Sequence, residues 1–250
     1  MSPVALKTCL CCLALMAWPL SARAATSNAA YRIQQSAGWT LHVSEQLLAT
    51  EPAATAKALE LLTAHLKEII RVVPAPAVAF LQTVPLWLSP VYPGQRGPRA
   101  EYHPGAGWLR SHGRDPVLAK AVEITNVLIF EQETRRMPMF ILHELAHAYH
   151  DQVLGFNNVD IEAAYRQAVA GKSYEAVKLY NGKTARAYAM TNAKEYFAEN
   201  TEAFFGHNDF FPFIRAELAQ HDPEMCRLLA RLWGCEESVP KTTADMKGPG

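Results

Sequence analysis

The run His143-Glu144-Leu145-Ala146-His147 constrains this chain more than any other feature. It lies within 140–154, a stretch whose apolar spacing predicts a helix, and residues four apart on a helix share a face. Both imidazoles can therefore point at one metal ion, while Glu144, one step round, reaches a water beside it. With nine histidines and eighteen glutamates in 250 positions, composition alone yields about 0.02 such runs per chain. Accident is set aside on that figure. Phe140, Ile141, Leu142 and Leu145 also embed the motif in apolar surroundings that a solvated helix would lack.

A zinc ion that keeps one position open for water needs a third protein ligand. A glycine at 150 and a histidine at 153 would supply it from the same segment, but those positions are His150 and Val153. The metzincin pattern is thereby excluded. His150 extends the histidine stripe and is expected at the exposed helix end or against substrate. Downstream, Glu195, Glu199 and Glu202 fall at i, i+4 and i+7 of a second predicted helix, 194–206, with Asn192 just before it. The remainder of that helix, including Tyr196, Phe197, Ala198 and Phe204, is too apolar for an ordinary solvated stripe, so the acids are read as facing the metal. Spacing leaves open which of them binds. For Glu202 solvent is favoured, as the commoner fate of a charged side chain.

The rest of the chain reads as α+β. Strands are expected at 39–43, 84–88, 108–109 and 121–125. Helices are expected at 52–73, 140–154, 161–170, 194–206, 210–220 and 223–233. Residues 93–107, with three prolines and four glycines, read as a surface loop. Asn181-Gly182 between 177–180 and 184–188 predicts a hairpin with a type I′ turn. Strands early and helices late put a small mixed sheet in the N-terminal half, packed on a helical C-terminal half that carries the metal site.

The first 24 residues have the order of a secretory signal peptide: Lys7, an apolar run from Cys9 to Leu20, then Ala22-Arg23-Ala24, with cleavage expected after Ala24. The run is too short, and interrupted by Pro19, for a membrane anchor. Residues 25–36 are expected to be a linker, 37–235 one domain and 236–250 a disordered tail. Removing Lys7 and Arg23 leaves 22 basic against 24 acidic side chains. No footprint for nucleic acid or an anionic membrane follows from that balance. Cys226 and Cys235 remain after cleavage. A helix over 223–233 would hold them apart, so bridged and free states both stay open.

His143-Glu144-x-x-His147, then Tyr188, then Asn192-x-x-Glu195-x-Phe197-Ala198-Glu199 resembles the gluzincin metallopeptidases, most specifically the catalytic domain of anthrax lethal factor and its secreted relatives. The similarity covers roughly 120–206, and being a toxin does not carry over. The resemblance implies a zincin-like fold with zinc on His143, His147 and Glu195. It implies that Glu199 accepts a hydrogen bond from the far nitrogen of a ligand histidine, with Asn192 beside it in support, and that Tyr188 assists the reaction as a donor to a developing oxyanion. Glu144 would be the general base for hydrolysis of a peptide or protein substrate, which would pair with the 121–125 strand as an added strand. Two other readings use the same scaffold: an inactive zinc-bearing binding protein, and a zinc hydrolase of a non-peptide amide or ester. Tyr102, His103, Trp108, Phe210, Phe211 and Phe213 are candidates for lining the cleft or for packing.

Overall fold

The computed structural model describes residues 30–94 and 99–235. The expected signal peptide, the first part of the expected linker and the tail 236–250 lie outside the described residues.

A hairpin opens the chain: β1 (Tyr31–Ser36) pairs antiparallel with β2 (Trp39–Ser44). Ala37 and Gly38 both take positive φ, 49° and 91°, the geometry of a tight two-residue turn. Gln82 closes over this turn, donating to the Ala37 carbonyl at 3.0 Å, and any side chain at Gly38 would collide with its amide. The linker expected over 25–36 is thus corrected, because 31–36 form a strand. Tyr-Arg-Ile-Gln-Gln-Ser alternates poorly, and its extension is imposed by the hairpin rather than by a buried face.

Three helices follow, α1 (Glu45–Thr50), α2 (Pro52–Val72) and α3 (Ala75–Leu81), then β3 (Leu86–Ser89), β4 (Arg99–Tyr102), α4 (Ala106–Ser111) and β5 (Val122–Thr125). Pro52 starts α2, and Val73, held extended before Pro74, stops it. The five strands form one sheet in the order β1-β2-β3-β5-β4. β2, β3 and β5 run parallel, while β1 and β4 are antiparallel to their neighbours at the two edges. β4 lies where a loop was expected. Its four residues stand among prolines and glycines, and pairing with β5 makes them a strand. The strand expected at 108–109 is instead the middle of α4, with Leu109 buried and Trp108 46% exposed.

The C-terminal half comprises α5 (Phe130–Arg136), α6 (Phe140–Tyr149), α7 (Val159–Gly171), a short hairpin of β6 (Val177–Lys178) and β7 (Thr184–Ala185), α8 (Ala193–Phe205), α9 (Arg215–His221) and α10 (Pro223–Leu232). The architecture is mixed α+β, with the small mixed sheet in the N-terminal half. Among the described residues no helix is long and apolar enough to cross a membrane. The hairpin turn is not type I′: of Asn181 and Gly182 only the glycine has positive φ, 79°, and Asn181 accepts the Lys183 N–H through its side chain. The helix expected over 210–220 begins only at Arg215, because 209–211 lie against the hairpin, with Tyr180 N–H donating to the Asp209 carbonyl and Phe211 N–H to that of Lys178. Cys226 and Cys235 are free, on either side of the unbroken end of α10.

One contiguous core joins the two halves. Leu41, Val43, Leu86, Leu88, Val122 and Ile124 on one sheet face meet Leu62, Leu66 and Ile69 of α2 and Ile141, Leu142 and Leu145 of α6. Each such side chain contributes about 1.5–3 kcal/mol of burial free energy. The core therefore fixes α6 against the sheet, which sets where the motif histidines point.

Candidate metal centre

α6 is apolar nearly all round, as suits a helix enclosed by its neighbours. Phe140, Ile141, Leu142, Leu145, Ala146 and Ala148 are buried, and only Glu144 and His147 are partly open. α8 packs along α6. Its start is set by Asn192, whose side-chain oxygen accepts from the N–H groups of Lys194 at 2.9 Å and Glu195 at 3.0 Å. This cap places Glu195 in the first turn, opposite the histidines. Asn192 acts on the backbone of residue 195 and was expected nearer the ligands' side chains.

The three expected ligands converge. Nε2 of His143 lies 3.1 Å from Nε2 of His147 and 3.1 Å from Oε2 of Glu195, and His147 Nε2 lies 3.3 Å from the same oxygen. Ligand atoms held 2.0–2.1 Å from a tetrahedral ion are separated from one another by about 3.3 Å. Two imidazole nitrogens and a carboxylate oxygen at such spacing make a donor set that fits a metal ion.

Behind His143 the role expected of Glu199 falls to Glu202, and both acids are buried. His143 Nδ1 donates to Glu202 Oε1 at 2.7 Å, while Glu199 Oε1 is 3.8 Å away and its other oxygen accepts from Asn208 at 3.2 Å. Glu202 is therefore the residue that fixes the His143 tautomer and leaves Nε2 free to ligate. It is 0% exposed, which overturns the expectation of solvent. The i, i+4, i+7 stripe carried the information, and a charge at the far end was given its commoner fate instead.

The electrostatics follow from crowding acids around two imidazoles. Burial alone would depress the His143 imidazole, but the Glu195 and Glu202 carboxylates outweigh it and hold the group well above its ordinary value. Burial would raise the Glu195 carboxyl, but His143 and His147 hold it far below the usual carboxylate range. Burial pushes Glu144 up, against the pull of the two histidines. Glu199 is driven well up by burial and by Glu202 beside it. Asp209, raised by burial, is bridged by Arg136 at 2.8 Å, and Arg136 is also held by Glu133.

The centre opens into a cleft of about 780 Å³. Ala100, Tyr102, His103, Trp108, Phe130, Met137, Phe140, Tyr188 and Phe210 are among the residues that line it. Tyr188 is 48% exposed in a single turn of 3₁₀ helix, not in the hairpin. Its phenol is raised by burial and by Glu195, so it stays protonated. Phe211 and Phe213 pack on each other. The strand expected to receive a peptide, 121–125, has neighbours on both sides. Among the described residues β4 has a paired neighbour on one side only, and Tyr102 N–H, pointing away from β5, donates to Glu144 Oε2 at 2.8 Å.

His150 is neither exposed nor in contact with the cleft. It opens a π-helical turn, His150–Leu154, that continues α6. It is 0% exposed, and its ring packs against Phe156 and Phe197. Among the described residues neither ring nitrogen has a hydrogen-bond partner. Burial lowers its pKa to about 4. The neutral form is favoured in the fold, so stability is full above the unfolded value near 6.5 and is lost as pH falls towards 4. His150→Leu is expected to stabilise the protein by about 1–3 kcal/mol at neutral pH and to lessen its loss of stability between pH 6.5 and 4. Melting temperatures of both proteins across that range check this, and a lower neutral melting temperature for the variant would refute it.

Tyr102, Lys120, Asp151, Arg136 and Asp209 also belong to the site region and carried no motif. No family model matches the chain, and no curated protein or solved structure matches it either.

Proposed function

We propose that this chain is an exported zinc-dependent metallopeptidase of gluzincin type, hydrolysing peptide bonds. The observation that carries the reading is the triangle of His143, His147 and Glu195 beside the buried carboxylate of Glu144, at the foot of a cleft bounded by an open strand edge. When bound there, zinc would supply Lewis acidity, bringing a water's pKa towards about 7 and polarising a carbonyl. Glu144 takes a proton from water at its carboxylate and returns it to the leaving amine. The raised Glu144 suits this exchange, since a base works best with a pKa near the operating pH. Tyr188 donates its phenol proton to the developing oxyanion, a contribution of about 3 kcal/mol.

The open edge supports a peptide over an ester or small amide. Backbone groups alternate along an antiparallel strand. Tyr102 N–H points away from β5, and its own-side neighbour two residues back is Ala100, which lines the cleft. The N–H and C=O of Ala100 are thus turned towards an incoming extended chain. Incubating the chain beginning at Ala25 with a mixed peptide library and with simple esters, with and without chelator, tests the reading. Chelator-sensitive peptide cleavage supports it, ester-only turnover moves it to a non-peptide hydrolase, and zinc binding without turnover leaves a binding protein.

Zinc binding should compete with protons. The Glu195 and Glu202 carboxylates favour the protonated form of His143 in the metal-free protein, and that proton must leave before the ring can ligate. Affinity is therefore expected to fall about tenfold per pH unit on going from 7 to 6. A competition titration with a chromogenic chelator measures this, and a flat profile would count against the site.

A further inference from the structure

Tyr102 ties the edge strand to α6 at two points. Its N–H donates to Glu144 Oε2 at 2.8 Å, and its phenol donates to Asp151 Oδ2 at 2.6 Å and accepts from Gln152 Nε2 at 3.1 Å. Lys120, on the segment leading into β5, makes an ion pair with the same Asp151 oxygen. Glu144 and Asp151 are seven residues apart, two turns of helix, and so both project towards β4. The Tyr102 ring, buried in the core cluster, lies between them. Burial and the Asp151 carboxylate raise its phenol, which keeps it a donor.

Among the described residues β4 spans four positions and is paired on one side only, so its ladder alone holds it weakly. The strand that would align a substrate is therefore in need of a second attachment, and an error of about 1 Å in such alignment costs about 100-fold in rate. We propose that Tyr102, anchored through its phenol by Asp151, Gln152 and Lys120, is a positioning residue that fixes the spacing between the open edge of β4 and the Glu144 carboxylate. The inference rests on the reading of Glu144 as base and β4 as the substrate's partner. The phenol–carboxylate bond is charge-assisted and sheltered, and carries more than the half-exposed Lys120 pair.

The test uses Tyr102→Phe and Asp151→Asn in the chain beginning at Ala25, with two readouts. Amide hydrogen exchange at Tyr102, measured without substrate in metal-free and zinc-loaded protein, is expected to quicken about tenfold or more in both variants, with β2 and β3 amides unchanged. On a peptide cleaved by the native protein, kcat is expected to fall about tenfold or more while KM and zinc stoichiometry hold. Restoring the acid as Asp151→Glu should recover more kcat than Asp151→Asn. Native exchange at Tyr102 in both variants overturns the clamp, and quickened exchange with unaltered kcat overturns its positioning role. If the native protein cleaves no peptide, the functional reading falls, and the exchange result still decides whether the clamp exists.

Discussion

Glu144→Gln is expected to bind zinc like the native chain and to hydrolyse peptides at least about a thousand-fold more slowly. The substitution keeps the shape of the side chain and a carbonyl oxygen, so the 2.8 Å bond from Tyr102 N–H survives. It removes nothing from the three ligand atoms, which come from His143, His147 and Glu195. What it removes is the capacity to hold a proton between water and leaving group, worth about 10²–10⁴ in rate. The native carboxylate is raised by burial, which brings it towards the pH at which it must both accept and release. Metal analysis alongside single-turnover rates makes the measurement. Cleavage at native speed with zinc retained would reject Glu144 as the base, and loss of zinc would place it among the ligands.

The parts of this site legible in the sequence are those fixed by helical spacing. His143, Glu144 and His147 need only α6 to exist, and the apolar run around them ensures that it does. Glu195 needed a second helix as well, and spacing left it level with Glu199 and Glu202; only the resemblance singled it out, and the cap by Asn192 that puts it in the first turn was not read. The supporting groups were less legible, because they depend on how helices face one another. Glu199 and Glu202 differ by less than one turn, and only the packing of α8 on α6 decides that Glu202 reaches His143 Nδ1. The edge strand was missed for a related reason. β4 lies in a proline- and glycine-rich stretch with no alternation of its own, so its existence and its outer position come from β5. Asp151, read as part of an ordinary helix end, gains its role only because the π-turn and β4 meet there. Sheet and helix classes were legible through periodicity, and tertiary partners were not.

The largest effect on the metal is expected from Glu195→Ala. Among the described residues only Glu195 offers a carboxylate oxygen close to both Nε2 atoms. Its removal leaves two imidazoles for an ion that needs three protein ligands and an open position. Residues that merely support ligands cost about 10–100-fold in affinity when lost. Glu202→Gln, which weakens the acceptor for His143 Nδ1, should fall within that range, and Glu195→Ala should exceed it. The fold should survive, because alanine keeps the backbone N–H that Asn192 caps and favours helix. Thermal shift then separates the cases without any substrate. Zinc at a thousand times its dissociation constant stabilises a folded binder by about 4 kcal/mol. The native chain should show that shift, Glu202→Gln a smaller one at the same zinc concentration, and Glu195→Ala almost none. An undiminished shift in Glu195→Ala would pass the third ligand to another acid. Equal losses in both variants would mean that Glu195 supports the site without binding the ion, and the assignment of the triangle would fall.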